Sequence, residues 1–112
     1  MDTERIESLI DSLHAARMMV ADANAGLASR EIERQALKAE IVGELTSKGV
    51  AATPAEKVAG QDARLVTFTH DTIKMGQDRD GYLADAESLR FRVQLALLEA
   101  EAAIRDPSQA AA

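Results

Sequence analysis

The sequence predicts an all-α fold, a long antiparallel two-helix coiled-coil hairpin that associates into a four-helix bundle or a higher oligomer. Three observations predict it. Apolar residues recur in steps of three and four from Ile6 through Leu9, Leu13, Ala16, Val20, Ala23 and Leu27, which is the a/d seam along which helices zip together. The beat stops at one cluster of turn signals and then resumes. The faces turned away from this seam collect a second apolar stripe, which a solvated face would not do.

Helix one is expected to start at Asp2 or Thr3. A hydroxyl at Thr3 and the carboxylate of Glu4 stand where the free N–H groups and the positive end of the helix dipole favour them. No proline interrupts the chain before Pro54, and the helix should run over about residues 3–48. Its stop is the run Thr46-Ser47-Lys48-Gly49, in which the glycine can take the left-handed conformation just past a helix end. Arg30 and Arg34 fall on the seam before Leu37 and Ile41 restore it, so these arginines must snorkel or find partners in the middle of the hairpin.

A turn over about residues 49–53 leads to Thr53-Pro54-Ala55-Glu56, which reads as a capping box with proline at the first helical position. Helix two is expected over about residues 54–106, with a frayed tail at 107–112 after Asp106-Pro107. From Val58 the stepping gives Gln61, Leu65, Phe68, Thr72, Met75, Arg79, Tyr82, Ala86, Leu89, Val93, Ala96, Ala100 and Ala103. Gly76 and Gly81 each cost about 1 kcal/mol relative to alanine inside a helix, enough to suggest a break and a three-helix bundle. The heptad phase passes through them without a slip, which favours a continuous or kinked helix. A connection this short makes the two helices antiparallel, pairing Leu37 with Leu65, Leu27 with Met75, Val20 with Tyr82 and Leu13 with Leu89.

The 112 residues make a single domain. The only aromatics are Phe68, Tyr82 and Phe91, and much of the apolar 46% is alanine, so the seam is thin. A lone hairpin with such a seam buries little surface. The second stripe therefore reads as an oligomer interface: Met18, Ala21, Ala25, Ala28, Ile32, Ala39 and Val42 on helix one, and Phe91, Leu95 and Leu98, flanked by Ala84 and Ala102, on helix two. The alternative is a scatter of surface alanines chosen for helix propensity.

A net charge of −6 disfavours a nucleic-acid binder that works by neutralising phosphates. The one basic pattern is a ridge of i,i+4 neighbours, Arg30, Arg34 and Lys38, which either contacts a phosphate or an acidic partner or simply pairs with Glu31 and Glu33. There is no cysteine, no secretory leader pattern after MDTERIESLI and no apolar run of bilayer length, so a soluble cytoplasmic protein is expected.

Catalytic and metal chemistry find little support, and neither enzyme nor cofactor is expected. Residues 76–87 place Asp78, Asp80, Gly81 and Glu87 at EF-hand loop positions, but the first ligand place is Gly76 and the ninth is Ala84. Asp11 and His14 stand one turn apart without a matching Glu-x-x-His elsewhere, and His70 has no nucleophile set beside it by any motif.

With its TPAEK turn and the run DAESLRFRVQLALLEAEAAI, the chain resembles small helical proteins of bacteriophage and prophage genomes. That resemblance implies an accessory role in recombination, packaging or host takeover and carries over no functional residue. The leading expectation is a non-enzymatic oligomer acting through protein contacts as adaptor, scaffold or inhibitor. The alternative is a nucleic-acid or nucleotide-binding accessory module whose basic ridges converge in the oligomer.

Overall fold

In the computed structural model, which describes residues 3–105, the chain folds into three helices, α1 (Thr3–Ser47), α2 (Ala52–Ala59) and α3 (Ala63–Arg105). The long helices α1 and α3 are the arms of a helical hairpin, and α2 sits in its turn. The expected stop at Asp106-Pro107 and the expected frayed tail at 107–112 lie outside the described residues.

α1 ends as its sequence predicts. Gly49 has a φ of 92°, a left-handed conformation that a side chain would strain. The Gly49 N–H donates to Thr46 O at 3.0 Å and the Val50 N–H to Leu45 O at 3.1 Å. These are the two bonds of a Schellman motif, and they satisfy carbonyls that the helix end leaves free.

The second arm departs from expectation in two ways. It is not one helix from 54 to 106, because the chain turns at Gly60-Gln61-Asp62 and divides α2 from α3. Nor does Thr53 cap it. α2 begins at Ala52, two residues earlier than expected, after Ala51, which makes no side-chain cap, and the first helical bond runs from the Ala55 N–H to Ala51 O at 2.9 Å. Pro54 still fits, since a first-turn N–H has no intrahelical acceptor to lose. Burial accounts for the shift: Ala55 and Ala59, one turn apart, are fully buried, whereas Val58 and Gln61 of the expected seam are exposed. The carboxylate of Asp62 then caps α3 by accepting the Arg64 N–H at 2.8 Å. Through Gly76 and Gly81 α3 is unbroken.

The described residues pack as two compact units, residues 3–21 with 80–105 and residues 22–79. In the first, α1 and α3 run antiparallel, with Arg5 3.6 Å from Glu99, and Leu13, Val93 and Ala96 are buried. In the second, Ile41, Ala59 and Leu65 form the core, covered by Leu37, Val42 and Leu45. Every seam position expected on α1 from Ile6 to Ile41, and on α3 from Leu65 to Ala103, is buried or half-buried.

Candidate interaction surfaces

In the unit of residues 3–21 and 80–105, the outer face of α3 carries Ala84, Ser88, Phe91, Leu95, Leu98 and Ala102, spaced alternately four and three apart. This is a second heptad seam on the face opposite Val93 and Ala96. None of the described residues covers it: Phe91 is 62% exposed, Leu95 56% and Leu98 62%. The Arg90 guanidinium stands 5.1 Å from the centre of the Phe91 ring and Arg90 also pairs with Glu87 at 2.9 Å, which leaves the rest of the aromatic face open. On α1 the same unit exposes Met18 and Ala21.

In the unit of residues 22–79 the outward stripe of α1 is sparser. Ile32 is 74% exposed, and Ala25, Ala28 and Ala39 are exposed around it. Val42 differs from the others, because it is half-buried and packs against the Ile41 core.

The basic ridge divides. Arg30 turns into the seam, where its Nη2 donates to Phe68 O at 3.0 Å, its Nε donates to Thr72 Oγ1 at 3.1 Å, and its guanidinium lies 3.5 Å from the centre of the Phe68 ring. An arginine in an apolar seam is tolerable when its donors find acceptors and its flat cation stacks on a ring. Arg34 and Lys38 instead line a shallow groove of about 360 Å³ with His70, Thr69 and an apolar floor of Leu65, Val66 and Gly60. A second depression of about 300 Å³ adjoins Lys38, between Gln35, Val42 and Glu56. Arg34 has only a 3.8 Å contact with Glu31, and Lys38 makes no ion pair among the described residues.

One charged cluster went unnoticed in the sequence. Arg64 donates to both carboxylate oxygens of Glu44 through its two terminal nitrogens, Nη2 at 2.6 Å and Nη1 at 3.1 Å, and to Asp62 Oδ1 through its Nε at 3.1 Å. The hydrogen bonds from Arg64 hold both carboxyls below their usual range, and the two carboxylates in turn hold the guanidinium above its own. The signal that could have revealed it is Gly60-Gln61-Asp62, a helix stop followed by a capping residue. The cluster fastens α3 to α1 beside the turn, which is a structural task.

Residues 76–87, weighed above as a calcium loop, lie within α3. Among the described residues no group of three or more His, Asp or Glu side chains is placed to hold a metal ion. His14 and His70 are both exposed. No described helix is long and apolar enough to cross a membrane. The fold and its surfaces thus define a helical hairpin with an outward apolar seam. Comparison with family models, with curated proteins and with solved structures returns no match.

Proposed function

We propose that this protein is a non-enzymatic, self-associating coiled-coil protein of the kind encoded by phages and prophages, acting in the cytoplasm through protein contacts as an adaptor, scaffold or inhibitor. The observation that carries this reading is the open heptad seam of Phe91, Leu95 and Leu98 on the face opposite a filled one. Large apolar side chains at a/d spacing are costly to leave in water and gain about 25 cal/mol for each Å² they bury. Sedimentation equilibrium at micromolar concentration tests the reading. A mass of twice the chain or more is expected, and a stable monomer overturns it.

The groove lined by Arg34, Lys38 and His70 favours a second reading, an accessory module that holds a nucleotide or the phosphates of a nucleic acid. Its basic residues are few and the chain as a whole is acidic, so such binding would fall steeply with salt. A gel shift or a nucleotide-induced rise in Tm that disappears in Lys38→Glu supports this reading. Binding unchanged by that substitution removes it.

A further inference from the structure

We infer that the outer seam of α3 is the contact between two copies of this chain, and that the two α3 helices meet there parallel and in register. This rests on the self-association proposed above and adds its surface and its direction.

The occupant follows from periodicity and charge. A partner helix must present the same alternation of three and four over the five turns from Ala84 to Ala102, and a second copy of α3 does so along its whole length. With Leu95 at a and Phe91 and Leu98 at d, the flanking e places fall to Asp85, Arg92 and Glu99, and the g places to Glu87, Gln94 and Glu101. In a coiled coil these flanks set orientation more than strength.

In a parallel pair each g residue meets the e residue of the next heptad on the partner. Glu87 then faces Arg92 of the second copy, twice by symmetry, Gln94 faces Glu99 without conflict, and Asp85 faces Asp80 as the one like-charge flank among the described residues. Arg92 is available for this contact, since it makes no ion pair among the described residues. In an antiparallel pair that superposes the two stripes, e meets e and g meets g. Arg92 then faces its own copy, Asp85 faces Glu99, and Glu87 faces Glu101. Every charged flank meets its own sign, and only the parallel arrangement matches opposite charges.

The full chain contains no cysteine, so single cysteine substitutions report the contact cleanly. In the parallel arrangement the two Leu95 side chains lie side by side, and Leu95→Cys should form a covalent dimer in oxidised glutathione. Oxidising an equal mixture of Ser88→Cys and Leu98→Cys should give few mixed dimers, whereas an antiparallel pair would give mainly those. Charge reversal supplies a second sign. Glu87→Arg should weaken dimerisation about tenfold, and Glu87→Arg with Arg92→Glu should restore it. Because these positions are exposed, circular dichroism should show unchanged helicity in all variants.

A dimer in which Leu95→Cys fails to cross-link, or in which Glu87→Arg tightens association through Glu101 of the second copy, overturns this inference and leaves self-association standing. A monomer overturns both.

Discussion

The two units of this molecule are built from the same pair of helices and solve the same packing problem differently. In residues 3–21 and 80–105 the seam is apolar and small, closed by Leu13, Val93 and Ala96, while large apolar side chains stand outside it. In residues 22–79 the seam admits Arg30, Arg34, Thr72 and Arg79, and the burial is concentrated near the turn at Ile41, Ala59 and Leu65. Charge divides the same way. Residues 22–79 hold nine acidic and eight basic side chains, whereas the other unit holds ten acidic and only five basic, counted over the full sequence. Residues 22–79 gather their burial in a core beside the turn and leave single apolar side chains such as Ile32 exposed. Residues 3–21 and 80–105 leave a contiguous apolar face exposed, edged with acids and with Arg92, which makes no ion pair among the described residues.

The sharpest way to break this comparison is to hollow the core beside the turn. Ile41 is the largest fully buried side chain, so Ile41→Ala should cost about 2–5 kcal/mol, where Val93→Ala in the thinner unit should cost less. Thermal or urea unfolding followed by circular dichroism reads the difference, and equal losses would erase the contrast.

The polar seam comes next. Arg30→Ala strips Phe68 O and Thr72 Oγ1 of a charged donor and removes the cation from the Phe68 ring, a loss of about 2 kcal/mol in the same assay. Arg30→Met with Thr72→Val, which replaces the polar layer by apolar volume, should recover most of that stability while loosening the register. Broadened amide resonances around residues 24–30 would report the slip.

Gly49→Ala tests the turn alone. No atom crowds the added methyl, so the expected loss of about 1–2 kcal/mol comes from forcing a side chain into left-handed backbone.

The smallest effect is the pH response of the Arg64 cluster. Glu44 and Asp62 have folded-state pKa values below their unfolded ones. Their contribution is therefore fully present above the unfolded values of about 4 and is lost as pH falls through the lower folded values. Wild type should lose Tm in that acidic window faster than Arg64→Ala, by a small margin because the cluster is exposed to solvent.

Much of this architecture was legible in the chain, and the reason lies in particular residues. The beat from Ile6 to Ile41 and from Leu65 to Ala103 names the inner face even where it falls on Arg30, Thr72 and Arg79, because a helix turns by the same angle whatever side chain it carries. The expected neighbourhood of Leu37 and Leu65 holds, since Leu37 packs on the core that Leu65 helps to form. Gly49 announced its own turn. The division of the second arm went unread because the step from Val58 through Gln61 to Leu65 runs across Gly60-Gln61-Asp62 without a visible slip. Gly60 stays in right-handed helical backbone, so the break leaves the spacing nearly intact. The groove of Arg34, Lys38 and His70 could not be read either, since it depends on side chains from both arms meeting beside that break.

The amino-acid sequence by itself determined the helical class, the inner face of each long helix and the antiparallel return, since each follows from a local rule: the pitch of the helix, the left-handed freedom of one glycine, the shortness of one connection. Only the tertiary structure decided where α2 starts and stops and where each arginine turns. At those points the local alternatives differ by about a kcal/mol, the worth of a single cap. Burial of Ala55 and Ala59, the stacking of Arg30 on Phe68 and the grip of Arg64 on Glu44 made the choice between them.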